Sequence, residues 1–448
     1  MTLDRVWRRS TWSLGIGLVT FLTLNANGRE IPSYDSQPAR LLAREIAVRH
    51  TLTLDEPIRR QPLLAGRQAF GRDVNGHWRS RVSVIPALPA AAVAWVLAGT
   101  GLVDLEAPLA PSLVAKLTAS LLVSLAAVCA WIAACRWTSR ERAALIALGF
   151  ALGTGLWPTA GQTLWQHATA IAALMGAVAL LSQSAPCGLA RGAAVGALVG
   201  IAVGARLPVA PLGLAVLCAA GIALGPRRAW VLIAAIPPIA LAAGLEARWF
   251  GALYGGAAAL EQLHGKIHRV DGSFGARPWE GLAGLLVSPS RGLLIYSPVT
   301  LVAIAGVASA WCAGVRDVRF WSGVGAAMQL AAYSTYSVWW GGHTYGPRYA
   351  LDLLPALVPL AASGIEWVLD RPVWRWLAAA ALAWSLAVSA TGAFCHPSGQ
   401  WNSHPGDIDT HHRRLWQWRD PQILRCWQAG PSPQNFALFS REAVAPQP

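Results

Sequence analysis

The sequence predicts an all-α polytopic membrane protein with about eleven transmembrane helices and a long first extracytoplasmic loop carrying interfacial helices. Three observations lead there. Mean hydropathy is +0.42. Of 448 residues, 54% are apolar and only 13% charged, where a soluble domain carries about 25% charged residues. Apolar runs near the length that crosses a bilayer recur from end to end, separated by short basic clusters.

The runs fall near 11–25, 84–103, 112–134, 142–156, 166–182, 192–205, 208–224, 229–247, 295–314, 320–338, 350–368 and 374–394. The stub before the first run holds Arg5, Arg8 and Arg9, which stay in the cytoplasm under the positive-inside bias. Four further clusters belong on that side: Arg136, Arg140 and Arg142; Arg227 and Arg228; Arg316 and Arg319; Arg371 and Arg375. If 84–103 crosses, all four land outside. If it lies in the interface or re-enters, all four land inside. Parity therefore makes 84–103 a non-spanning element, and Pro86 and Pro89 near its start suit a kinked piece.

This reading gives a transmembrane domain over 1–394 and an extracytoplasmic tail over 395–448, so the N-terminus is cytoplasmic and the C-terminus is not. The first loop covers 26–111 and a second large loop 248–294; the short loops 157–165 and 339–349 face the same side. In the first loop Leu41, Leu42, Ile46 and Ala47 recur at helical spacing with Arg40, Arg44 and Arg49 around them, which fits an interfacial helix. The first span shows no small-residue cleavage site and is expected to stay as structure. Residues 443–448 look frayed.

The net charge of +14 is almost wholly arginine, with lysine only at Lys116 and Lys266. Arginine grips phosphate with a planar fork. In a membrane-embedded chain, lipid headgroups or a lipid-linked phosphate explain this charge, and nucleic acid does not. Arg59, Arg60, Arg67, Arg72, Arg79 and Arg81 stand against a single acid, Asp73; a headgroup surface and a site for an anionic lipid-anchored donor are compatible readings. Of seven cysteines, Cys129, Cys135, Cys187, Cys218 and Cys312 lie in or beside apolar runs as packing residues. Cys395 and Cys426 follow the last run, where an extracytoplasmic tail would allow a disulfide.

Candidate site residues cluster in the outer loops. Asp35 lies just past the first span in the stretch 27–36, which also holds Glu30; it is either an interfacial acid or a base. The loop Trp339 to Tyr349 combines Gly341, Gly342 and Gly346 with His343, Tyr345 and Arg348, and Asp352 follows at the head of the next span. Glycines let backbone approach a ligand, and His343 and Arg348 offer donors to a phosphate. Arg291 sits in Ser288-Pro289-Ser290-Arg291-Gly292, ahead of Tyr296-Ser297-Pro298; it either snorkels or completes an anion site with Arg348. His167 closes Trp165-Gln166-His167, and Arg206 occupies a very short outer turn, a costly place for a cation. His264, Lys266, His268, Arg269 and Asp271 form a polar cluster read as a loop, and His396, His404, His411 and His412 read as solvated tail with no metal spacing.

These stretches together resemble the GT-C superfamily of integral-membrane glycosyltransferases, in particular uncharacterised bacterial members related to protein O-mannosyltransferases and lipid A aminoarabinose transferases. The points of match run in family order: 27–36 with its acid, Gly153-Thr154 leading to Trp165-Gln166-His167, Ser288 to Pro298, and Trp339 to Arg348. The resemblance implies a GT-C type helical bundle in a bacterial inner membrane and a donor sugar on a polyprenyl phosphate. It implies transfer to an acceptor glycan, lipid or protein on the extracytoplasmic face. Asp35 matches the first-loop acid that serves as base. One departure is that relatives carry Pro-Pro-Leu before the second span, where this chain reads Arg81-Val82-Ser83-Val84-Ile85-Pro86-Ala87-Leu88-Pro89.

The expectation is an inverting transfer with Asp35 as general base and Arg348, Arg291 and His343 stabilising the departing phosphate. Further candidates are Glu30, His167, Arg206, Tyr345, Tyr296 and Asp352. No cofactor and no obligatory metal are expected, since arginine cations fill the metal's role. The rivals are a lipid-linked glycan ligase, which would consume a polyprenyl diphosphate, and a transporter or flippase. A transporter would place charges deep within several spans.

Overall fold

The computed structural model describes residues 3–101, 103–270, 272–395 and 397–430. Asp271, His396, the stretch 443–448 and the side chains of Arg5, Arg8 and Arg9 lie outside the described set. Nearly everything described is helical. A short antiparallel hairpin, Phe70–Arg72 against Trp78–Ser80 with Gly71 opposite Arg79, is the sheet found there. Five helices are long and apolar enough to cross a membrane: Ala110–Ala134, Leu207–Arg227, Ala229–Phe250, Tyr349–Leu369 and Pro372–Phe394. Gln166–Leu181, Leu189–Ala205 and Pro298–Ala313 are apolar but shorter. The protein is an all-α membrane protein.

Small residues hold the bundle together. Without a hydrophobic force between helices in lipid, close backbone approach supplies the packing. Gly196, Gly200 and Gly204 repeat every four residues along Leu189–Ala205. A Cβ at these positions would meet the Val231, Ala235 and Pro238 carbonyl oxygens at 2.0, 2.4 and 2.8 Å. Leu189–Ala205 therefore lies directly on the backbone of Ala229–Phe250. Ala126, Ala127, Ala130, Ala133 and Ala134 do similar work on the longest helix, within the largest core cluster.

The basic loops meet at one end of this bundle. Arg142 pairs with Glu366 and Asp370, and the Arg319 guanidinium lies 5.4 Å over the Trp137 ring. Clusters around 136–142, 316–319 and 366–371 thus share one face. The candidate site lies at the other end.

The first loop folds back on itself. Helix Gln37–Arg49 buries Leu41, Leu42, Ala43 and Ala47 and packs against Ala87–Gly99, which buries Ala87, Ala90, Ala91 and Ala94. At 13 residues, Ala87–Gly99 is about 20 Å long and falls short of the ~30 Å hydrocarbon layer. Its arginines are less free than the sequence suggests. Arg44 donates to the Leu105 carbonyl at 2.8 Å and pairs with Glu106; Arg49 pairs with Glu45 and Glu106. Arg59 and Arg60 pair with Glu56, and Arg79 with Asp73.

Two sequence readings are corrected. His264, Lys266 and His268 are not in a loop: they lie on the helix Gly255–His268, which Arg269 ends in a left-handed conformation at φ 53°. The tail is also not a solvated strand of chain. Trp401, Ile408 and Leu415 are buried with Val338, Trp339 and Trp340, and Cys395 is disulfide-bonded to Cys426. Three aromatic or aliphatic anchors hold the tail on the 339–349 loop, and the disulfide ties residue 426 back to the end of the last helix.

The glycine contact yields a test. Gly200→Ala should cost about 1–3 kcal/mol, because the new Cβ can be accommodated only by parting two helices. Gly244→Ala meets nothing within 4 Å and should leave stability unchanged or slightly raised. Thermal unfolding of the detergent-solubilised variants checks both.

Candidate functional site

Asp35 is placed by a local device. The chain leaves the first helix at Asn25 and turns at Gly28, φ 68°. Ser33 then caps the short turn Tyr34–Ser36: its Oγ accepts the Asp35 amide at 3.3 Å, while the Ser33 amide donates to Ser36 Oγ at 3.1 Å. Reciprocal capping of this kind satisfies two backbone donors and fixes the turn. The Asp35 carboxylate is thereby held against a residue 313 positions away, with Arg348 Nη1 donating to Oδ2 at 2.9 Å.

Arg348 comes from the glycine-rich loop. Gly346 adopts φ 68°, and a Cβ there would lie 2.6 Å from the Tyr296 ring, so only glycine fits. The Arg348 guanidinium lies 4.9 Å over Trp165 and 5.1 Å over Tyr349, whose hydroxyl accepts from Nη2 at 3.2 Å. Its Nε has no partner. Arg348 is 11% exposed and Asp35 30%. The cation is therefore clamped, while its carboxylate partner still opens to solvent.

Four residues further on, Asp352 is fully buried. It accepts from Arg206 Nε at 2.8 Å and from the Tyr333 hydroxyl, and its Oδ1 lies 2.9 Å from His167 Nδ1. Arg206 reaches it because Leu189–Ala205 breaks there into extended backbone; Arg206 Nη2 also donates to Tyr333 at 3.1 Å. Tyr333 stacks on Tyr349 at 5.0 Å, which links the two ion pairs through aromatic faces. A buried pair is tolerable only when its remaining lone pairs are satisfied, and here all three partners of Asp352 serve that end.

The electrostatics of Asp35 follow from this crowd. Burial raises its pKa, but the nearby cations, Arg348 first and then His264 and Arg206, outweigh it and leave the carboxyl below its ordinary 3.8. Burial lowers the Arg348 pKa, and Tyr349 and Asp35 more than reverse that. His264, on the second-loop helix, is pushed below its ordinary value by burial, with Asp35 opposing.

The other sequence candidates divide. Glu30 pairs with Arg40 at 2.7 Å and accepts from Thr163. It lines a crevice of about 480 Å³ together with Arg29, Trp165, His343, Tyr345 and Asn402. Arg291 does not complete an anion site. All five of its N–H groups are taken, by the carbonyls of Trp340, Ser290 and Gly342 and the side chains of Gln422 and Asn402, at 2.7 to 3.1 Å. A guanidinium has no sixth donor, so Arg291 braces the loop and the tail. Tyr296 and Tyr345 contribute to the same brace: they meet edge to face at 5.4 Å, with hydroxyls on Gln422 and the Val388 carbonyl. His343 faces Asp407 and Asp409 of the tail rather than Arg348.

Three participants carried little sequence signal. Tyr333 and Tyr349 sit in aromatic-rich stretches, and His264 was visible only as part of a polar cluster. Lys116 was findable, as one of two lysines and inside an apolar run. Its Nζ donates to the Leu24 carbonyl at 2.7 Å, Asn27 Oδ1 at 3.2 Å and Gln162 Oε1 at 2.6 Å. Lys116 thus ties the first helix to the 157–165 loop beside the site.

Fold and site together define an all-α membrane protein with a linked pair of ion pairs at one end of its bundle. The chain matches no protein-family model and no curated protein.

Arg206→Ala would strand the Asp352 charge and should destabilise the protein by about 3–5 kcal/mol. Asp35→Asn, isosteric and partly exposed, should cost no more than about 1–2 kcal/mol. Because the Asp35 pKa is lowered in the folded protein, its contribution is fully present above the ordinary carboxylate range and is lost as pH falls through the lowered value. The stability difference between wild type and Asp35→Asn should stay flat from about pH 8 to 5 and shrink only below about pH 4. Thermal melts across pH measure all three.

Proposed function

We propose that this protein is a membrane glycosyltransferase that moves a sugar from a polyprenyl-phosphate donor to an acceptor hydroxyl, with inversion, on the extracytoplasmic face of a bacterial inner membrane. The reading carries with it eleven crossings, a GT-C type bundle and a cytoplasmic N-terminus. The observation that carries it is the Asp35–Arg348 pair: a partly exposed carboxylate against a cation clamped between two aromatic rings.

In this reaction the acceptor oxygen bonds to the anomeric carbon as its proton passes to Asp35. The bond from that carbon to the phosphate oxygen breaks, and the lipid phosphate leaves with the electron pair. Arg348 neutralises the charge that develops there. The resting pair suits this sequence of events. A carboxylate held low by Arg348 is a weak base; donor phosphate on Arg348 competes with Asp35 for the cation and restores its basicity toward the optimum for proton transfer. Arg206, held by Asp352, adds positive potential without leaving its place. An apolar groove of about 600 Å³ lined by Leu293, Leu301, Phe320, Leu353 and Leu360 reaches the residue next to Asp352. It suits an isoprenoid chain whose phosphate is at Arg348.

Reconstitution with labelled polyprenyl-phosphate sugars tests the proposal. Asp35→Asn should lower transfer by about 10²–10⁴-fold and Arg348→Ala by about 10²–10³-fold. Undiminished transfer by a folded Asp35→Asn protein would overturn the base assignment.

A further inference from the structure

Among the described residues, one group of three potential metal ligands converges: His343, Asp407 and Asp409, whose ligand atoms all lie within 4.8 Å of one another. His343 Nε2 is 2.9 Å from Asp407 Oδ1 and 3.3 Å from Asp409 Oδ2. Zinc bonds to histidine nitrogen and carboxylate oxygen are about 2.0–2.2 Å, so neighbouring donors around a tetrahedral ion stand about 3.3 Å apart. The spacing seen fits a shared ion with little movement.

A second observation points to the same place. His268 is only 7% exposed, and its Nδ1 has no hydrogen-bond partner. That nitrogen nevertheless lies 3.1 Å from Asp409 Oδ1, close but not aligned as donor to acceptor. The imidazole therefore backs the carboxylate whose other oxygen faces His343. Asp409 is also prepared for the role: the Trp340 indole donates to Oδ1 at 2.9 Å, and the Asp409 amide donates to Asp407 Oδ1 at 2.9 Å. Ligating carboxylates are oriented by hydrogen bonds of this kind.

We propose that His343, Asp407 and Asp409 bind one divalent transition metal ion of the zinc type that clamps the tail onto the 339–349 loop, with His268 set against Asp409 behind them. An imidazole beside two carboxylates suits zinc, where magnesium and calcium take oxygen ligands alone. The ion would join the loop that presents Arg348 to the tail that braces Arg291, and Asp409 carries the contact on to the helix Gly255–His268. It is a site for holding the loop, separate from the Asp35–Arg348 pair and independent of the proposed transfer reaction.

The test uses untagged full-length protein stripped with a chelator and dialysed against zinc chloride, with bound metal measured by mass spectrometry. One zinc per chain is expected. Loss of a residue that merely orients a ligand costs about 10–100-fold in affinity, so His343→Ala and Asp407→Asn should each weaken binding by at least ~100-fold, while His404→Gln should not. Zinc should also slow proteolysis of the tail in wild type and not in the variants. Asp407 is 45% exposed, so Asp407→Asn keeps the fold, and an intact Cys395–Cys426 bridge verifies this. Wild type that binds no more zinc than a His343→Ala/Asp407→Asn double variant would overturn the site. Preference for calcium or magnesium over zinc would overturn the choice of metal.

Discussion

The buried carboxylate of Asp352 is the constraint on which the site depends. It sits where water cannot reach and joins His167, Arg206 and Tyr333. Those residues come from the helix Gln166–Leu181, the break after Leu189–Ala205, and the helix Val318–Ser334. An ionised group so placed stays only if every partner holds. Four elements are therefore fixed relative to one another at one point. Arg348 lies four residues before Asp352, so the same point fixes the cation that meets Asp35.

Around that core many of the charges are paired. In the first loop Arg44, Arg49, Arg59, Arg60 and Arg79 answer to Glu45, Glu56, Asp73 and Glu106, and Arg291 answers to five acceptors. Arg348 is buried and clamped between aromatic faces, with an Nε that has no partner and a carboxylate partner open to solvent. Its place beside the Asp352 cluster is what sets it apart from Arg414, which stands over Trp401 against Asp420 in a similar way. The tail contributes to the Arg348 site indirectly, since Gln422 and Asn402 hold Arg291 and Arg291 holds the carbonyls of Trp340 and Gly342.

Much of this was legible in the sequence because the relevant signals are strong. Composition and apolar runs give an all-α membrane protein, since lipid leaves backbone groups no other partner than a helix. The basic clusters predicted a common face, and Arg142 with Glu366 and Asp370, and Arg319 over Trp137, show three of the four meeting. Asp35, Arg348, Arg206, Asp352 and His167 were each singled out by position, and they do converge. What was not legible was the pairing. Arg291 and Arg348 look alike in sequence, each an arginine beside glycine at the head of an apolar run. Only the fold brings five acceptors to one and an open carboxylate to the other. The tail was misjudged for the same reason: its histidines carry no regular spacing, and its anchors Trp401, Ile408 and Leu415 are single residues in a polar stretch. The hydrophobic face they form exists only once Trp339 and Trp340 are beneath them.

The central claim is that Arg348 exchanges its carboxylate partner for a phosphate, which leaves Asp35 free to take a proton. Binding of an isoprenyl phosphate to wild type, Asp35→Asn and Arg348→Ala, measured without an acceptor, tests this most directly. The exchange predicts that Asp35→Asn binds as tightly as wild type or more tightly, because the competing charge is gone, while Arg348→Ala loses binding. Equal loss of binding in both variants would contradict it, since the carboxylate would then belong to the binding site itself.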